Sequence, residues 1–162
     1  MKNVKYLLLI IISISLLNSC SKNDDETSCP ETENVSMKIN GEQKQFVVTG
    51  WGIDLDNDGS GYTLSLWIDN GVINPQQDSY SIVLKLPYKK RGNNIIEEFN
   101  YTRIQNATSF SGDFVQGELE SKVSVNKNSC FSATFSGNLI IDGNQVIITD
   151  GVFNHTYDEP FD

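Results

Sequence analysis

A single histidine, three cysteines and twelve basic residues are all that 162 positions provide of the groups most catalytic, metal and nucleic-acid chemistry depends on. With one imidazole, His155, a Ser/His/Asp set would have to be built beyond the last apolar strand, where an exposed histidine is the reading favoured. No G-x-S-x-G elbow marks an activated serine. Zinc asks for spaced His/Cys ligand pairs, which one histidine and widely separated cysteines do not supply. No glycine cluster opens a helix, so there is no dinucleotide or phosphate loop, and no stretch of the mature chain carries a helical period. Against 21 Asp+Glu, the scarcity of Lys+Arg argues against a nucleic-acid partner and leaves cations, neutral glycans and basic proteins as better matches.

What is present begins with a leader. Lys2 and Lys5 precede Tyr6 to Leu17, a mainly apolar run of twelve residues followed by small side chains, the pattern of a secretory signal peptide. As a helix it would cover roughly 18 Å against a hydrocarbon core of about 30 Å, too short to span a membrane. Leu17-Asn18-Ser19-Cys20 follows, and it resembles the lipobox of bacterial lipoproteins, with Asn18 in place of the usual small residue. The resemblance implies cleavage before Cys20 and acylation of that cysteine, a membrane anchor made of lipid rather than protein. Ser21-Lys22-Asn23-Asp24-Asp25-Glu26 is similar to the acidic export signal of Bacteroidota-type surface lipoproteins, which implies an outer-membrane, outward-facing address. The same segment also reads as a solvated tether.

Removing residues 1–19 leaves 143 residues and takes the formal charge from −9 to −11, the size of one domain with a real core. The organisation expected is a lipidated tether over 20–34, a single all-β domain over 35–157 and a short tail over 158–162. Lipidation of Cys20 leaves Cys29 and Cys130 as an exported pair, which favours a disulfide over two free thiols. Closing so long a loop is worth about 4–5 kcal/mol in the chain-entropy account.

Strands follow from period-two alternation. Val35, Met37 and Ile39 alternate into Asn40-Gly41, a two-residue hairpin signal, and the return strand runs from Gln43. Its parity breaks between Val48 and Trp51, so a bulge is expected near Gly50. Pairing Leu55 with Tyr62 then sets Ile53 opposite Leu64, Trp51 opposite Leu66 and Trp67 opposite Gly50. Tyr80 to Leu86 is a further strand ended by Pro87. Short strands are expected around 95–103 and 108–116, then Val123 and Val125, then Phe131 to Ile141. The closing hairpin turns at Asp142-Gly143-Asn144-Gln145, with Ile141 set against Val146 and with Val146, Ile148 and Val152 facing inward. The fold class expected is an all-β, mainly antiparallel sandwich, Greek-key or jelly-roll like, with a closed barrel as the alternative. Residues 37–46 (MKINGEQKQF) and 131–157 (FSATFSGNLIIDGNQVIITDGVFNHTY) resemble a group of small Bacteroidota lipoproteins of unknown function. That resemblance supports the fold class and the address and implies no catalytic residue.

Four local features bear on function. Trp67, on the outer face over strand glycines, either stacks on a sugar ring or simply covers exposed backbone. Asp54, Asp56 and Asp58, with Gly59 at the sixth position, match the first half of a calcium loop and suggest a weak Ca²⁺ site, although Ser65 stands where an EF-hand has glutamate and the stretch is also ordinary turn chemistry. Glu118 and Glu120, expected on one strand face, and the adjacent Glu97-Glu98 are carboxylate pairs of the kind a glycosidase uses, without a preferred pair. Lys85, Lys89, Lys90 and Arg91 form a basic cluster read as a solvated turn. The expectation is a non-enzymatic binding or structural module of the cell envelope, whose partner is a glycan or another envelope protein; a small glycan hydrolase is the other alternative.

Overall fold

A computed structural model describes residues 28–72, 77–114 and 117–158. The leader, Cys20, most of the tether and residues 159–162 lie outside them. Among the described residues the chain forms ten strands and no helix: β1 (Asn34–Ile39), β2 (Glu42–Leu55), β3 (Tyr62–Asp69), β4 (Ser79–Pro87), β5 (Gly92–Asn93), β6 (Glu98–Gln105), β7 (Thr108–Asp113), β8 (Glu120–Asn126), β9 (Cys130–Ile141) and β10 (Asn144–Thr156). They make one antiparallel sheet in the order β5-β8-β9-β10-β1-β2-β3-β4-β6-β7. The all-β antiparallel class is therefore met, and its layers are the two halves of one curled sheet. Neighbours are mostly consecutive strands, as in an up-and-down meander, except that the chain crosses between β4 and β6 to the two-residue β5, which pairs with β8 at the other edge, and that β1 lies between β10 and β2 so that the first and last strands are side by side.

β2 is what lets one sheet serve both halves. Its first part pairs with β1 (Val35↔Phe46) and its second with β3 (Trp51↔Leu66), the ladder slipping between Val48 and Gly50. That is the bulge expected from the parity break, and the β2–β3 register is the one expected, from Leu55↔Tyr62 through Gly50↔Trp67. A bulge increases local twist, which a sheet folding over itself requires. The enclosed space is filled from both halves: Leu64, Leu66, Ile82, Leu84 and Tyr101 from one, Met37, Phe131, Leu139, Ile148 and Phe153 from the other, all essentially inaccessible. Phe99 of β6 meets Phe135 of β9 with ring centroids 5.2 Å apart, joining the halves across the core.

Three expectations are corrected. The last hairpin turns on two residues, Asp142 (φ 49°) and Gly143 (φ 74°), so Ile141 pairs with Asn144 and Leu139 with Val146. Because this slip is two residues, the faces are kept. Second, the β9–β10 ladder shifts between Ile148 and Gly151, with Asp150 left-handed at φ 52°, so it is Phe153 rather than Val152 that is buried. Third, Leu55 and Tyr62 are paired as expected but 60% and 54% exposed, because the β2–β3 hairpin runs past the core.

The free end of the sheet folds back onto β9. Phe114 forms a bridge with Leu139, and Gly112 lies so close that a Cβ there would sit 2.5 Å from the Ile140 carbonyl oxygen. On the rest of β9 the same edge is taken by β8 (Glu120↔Ser136 to Asn126↔Phe131).

The Cys29–Cys130 disulfide is formed. It fastens the segment ahead of β1 to the start of β9, where Cys130 also pairs with Thr156 of β10.

Candidate functional site

Along its middle the inner face of the sheet is apolar, and at one end it turns polar. Lys44 follows the inward parity of Phe46 on β2, Tyr80 that of Ile82 on β4, and Arg103 that of Tyr101 on β6. Tyr80 and Arg103 are cross-strand partners, and Arg103 is partnered in turn by Phe110 of β7. From the other half come Ile39, Ile141 and Val146, and the rim carries Asn40, Asn70, Gln77, Asp142, Asn144 and Gln145. Together they enclose a cleft of about 760 Å³ among the hairpin turns, within the usual range for a small-molecule site.

Both of its cations are paired. Arg103 donates from Nε (3.1 Å) and a terminal nitrogen (2.6 Å) to one oxygen of Asp78, and the Tyr80 hydroxyl donates to the same oxygen at 3.1 Å. The Arg103 guanidinium holds the Asp78 carboxyl below its ordinary value, while burial pushes the Tyr80 phenol up. Lys44 donates to Glu42 at 2.6 Å, which raises its own pKa, and it stands 5.3 Å from the centre of the Tyr80 ring, with Arg103 at 6.0 Å. Both are cation–π distances. Asn70 pins the loop that carries Asp78, donating to the Asp78 carbonyl and accepting from the Tyr80 N–H at 2.9 Å.

The residues singled out in the sequence lie elsewhere. Trp67 is 41% exposed on the outer face, and the benzo edge of its indole runs over Gly50 and Gly52, whose added Cβ atoms would each lie 3.5 Å from it. It covers strand backbone and still presents surface to solvent. Its neighbours of the same parity in the β3–β4–β6–β7 ladders are Ser65, Val83, Lys85, Asn100 and Asp113, so no aromatic row extends from it.

Asp54, Asp56 and Asp58 sit at the far end of the molecule from the cleft, and they do not converge. Asp56 accepts from the Thr63 hydroxyl at 2.7 Å. Asp58 accepts from the Ser60 N–H at 2.9 Å, and the Ser60 hydroxyl and N–H keep its carboxyl below the usual value. Among the described residues no three His, Cys, Asp or Glu side chains are gathered as a metal site would need. The loop behaves as Asx-turn chemistry. Lys85 is paired with Glu98 at 2.7 Å and Lys89 lies over the Tyr88 ring, so two members of the basic cluster are held by their own strands and loop.

His155 is a correction. It is not an exposed terminal group: its side chain is 17% exposed, edge-on to Phe153 and Tyr157, with Nδ1 3.2 Å from Glu33. Burial lowers its pKa, against the pull of Glu33 and Asp158. Glu33 is itself lowered, chiefly by the Thr156 hydroxyl that donates to it at 2.8 Å. Both shifts act in one direction. As pH falls below about 6.5 the unfolded chain protonates its histidine before the folded one does, and below about 4.5 the same holds for the glutamate, so stability is lost on acidification. The thermal midpoint should therefore fall between about pH 7.5 and pH 5, and His155→Gln should flatten the upper part of that slope. An equal slope in the variant would show that the imidazole is not responsible.

Sequence reasoning missed the cleft because its charged pair, Asp78 in the loop ahead of β4 and Arg103 on β6, becomes visible only with the β4–β6 register. Comparison with protein-family models, with curated proteins and with solved structures finds no match to this chain.

Proposed function

We propose that the protein is a lipid-anchored cell-envelope lipoprotein, held at the outer membrane through Cys20 and facing outward, and that it acts as a non-enzymatic binding module through the cleft at the end of its curled sheet. The observation that carries this reading is polarity along the strands. The chain approaches the domain at the Cys29–Cys130 bridge, and β9 leads from Cys130 to Ile141 in the cleft. Twelve residues at about 3.3 Å each span roughly 35–40 Å. An anchor nine residues ahead of Cys29 would thus hold the domain by one end and leave the cleft at the other. The disulfide agrees with an exported protein.

A binding role is favoured over hydrolysis by the state of the carboxylates. The cleft's best-placed acid, Asp78, is ion-paired with Arg103 and kept below its usual pKa, the opposite of what a general acid requires.

Cys20→Ala tests the anchor. Fractionation of the expressing cell should find this variant released from membranes, or retained as uncleaved precursor, because the acyl chains supply the affinity and an acidic domain does not. Processed Cys20→Ala protein that still sediments with membranes would remove the anchor from the reading.

A further inference from the structure

We infer that the cleft between the hairpin turns takes an uncharged, hydroxyl-rich ligand with one apolar face, a neutral saccharide. The inference rests on the cleft being a binding site, as proposed above, and names what enters it.

Charge and shape together select the ligand. The cleft holds two cations, Lys44 and Arg103, and three acids, Glu42, Asp78 and Asp142. Arg103 and Asp78 are joined by two hydrogen bonds and Lys44 and Glu42 by one. An anionic ligand would have to pull Arg103 from Asp78 and would then lie beside the stranded carboxylate, a like-charge contact in partly desolvated surroundings. A cationic ligand would meet Lys44 and Arg103 beside the Tyr80 ring and find Asp142 as the one acid outside the two pairs. A neutral ligand leaves both pairs intact.

The remaining polar groups suit such a ligand. Gln77, Gln105, Asn144 and Gln145 offer amide donors and acceptors around the rim, a set matched to hydroxyls, which both donate and accept. Below them Ile39, Ile141, Val146 and Phe110 form an apolar floor. The Tyr80 ring, attended by both cations, belongs to the wall. A pyranose has this division, with C–H groups on one face and hydroxyls around its edge. Trp67 is on the outer face of the sheet, so the cleft and the indole cannot share one ring.

The test uses the full folded domain on an array carrying neutral gluco-, manno-, galacto- and xylo-configured oligosaccharides, matching uronic-acid and sialylated ones, and short peptides. Binding to neutral members is expected. Asn144→Trp and Gln77→Trp, which place an indole in the mouth from two different turns, should each abolish it. Asp78→Asn provides the converse, because it leaves Arg103 uncompensated in the cleft. This variant should gain about tenfold or more in affinity for uronic-acid oligosaccharides, a change that a misfolded protein could not produce. Native protein that prefers acidic saccharides or peptides, with that binding lost in both tryptophan variants, would overturn the ligand class and leave the cleft as a binding site. Neutral binding that survives both tryptophan variants and is lost in Trp67→Ala would overturn the cleft itself. Native protein that binds nothing on the array would overturn both.

Discussion

Reducing the bridge between Cys29 and Cys130 is expected to lower the free energy of unfolding by about 2–5 kcal/mol. The bond closes a loop of 101 residues, so its loss returns much chain entropy to the unfolded state. It also acts where the fold has little else. Cys29 lies ahead of β1 in a stretch without strand pairing, and beyond the bond this approach is held by Glu33, through Thr156 and His155. Cys130 is fully buried, so Cys29→Ser with Cys130→Ala avoids leaving a new polar group in the core. Urea midpoints of the native protein with and without reductant, and of the double variant, measure the effect. A reductant that leaves the midpoint where it was would mean that the bridge adds nothing to stability.

The second large effect is expected at Gly112. A methyl group there would lie 2.5 Å from the Ile140 carbonyl oxygen and 3.0 Å from the Ile141 side chain. The nearest obstacle is backbone and cannot rotate away, so Gly112→Ala must push β7 off β9. Overpacking of this kind costs about 1–3 kcal/mol, sometimes more. Here it would also open the place where the free end of the sheet meets β9 through the Phe114–Leu139 bridge. Gly52→Ala is the control. Its added methyl would meet the Trp67 ring at 3.5 Å, an ordinary contact, so its stability should stay within about 0.5 kcal/mol of the parent. Amide exchange should locate the loss in Gly112→Ala on β7 and the second half of β9. Equal stabilities for the two variants would refute the close approach.

What the sequence made legible was whatever one strand and its immediate neighbour decide. The β2–β3 register could be worked out because Gly50 and Gly52 mark a parity break beside two alternating runs, and only one pairing buries Leu64 and Leu66 together with Ile53. The β9–β10 hairpin came out two residues wrong because Asp142-Gly143 and Asp142-Gly143-Asn144-Gln145 are both good turns and both keep the same faces. Phe153 was missed because Asp150-Gly151 reads as a turn residue followed by glycine until the ladder shows a shift there.

The cleft was the least accessible of all. Its residues come from β1, β2, β4, β6, β7, β9, β10 and three connections, and each charged member looks like an ordinary strand-end or loop residue in its own segment. Asp54, Asp56 and Asp58 attracted notice for the opposite reason, being contiguous. Contiguity fixed their spacing along the chain but not the direction of their carboxylates, two of which satisfy their own hairpin.

The side-by-side placement of β1 and β10 sets an order of events for folding. β1 with β2, β6 with β7 and β9 with β10 each join across a short turn and can form as soon as their residues are available. The ladder from Asn34↔Asn154 to Ile39↔Ile148 unites opposite ends of the domain, so it waits for the last strand and carries the largest loop-closure cost. For a chain delivered N-terminus first, Cys29 has no bridging partner until Cys130 arrives at the start of β9, so the bond can close while the rest of β9 and all of β10 are still to be added to the sheet.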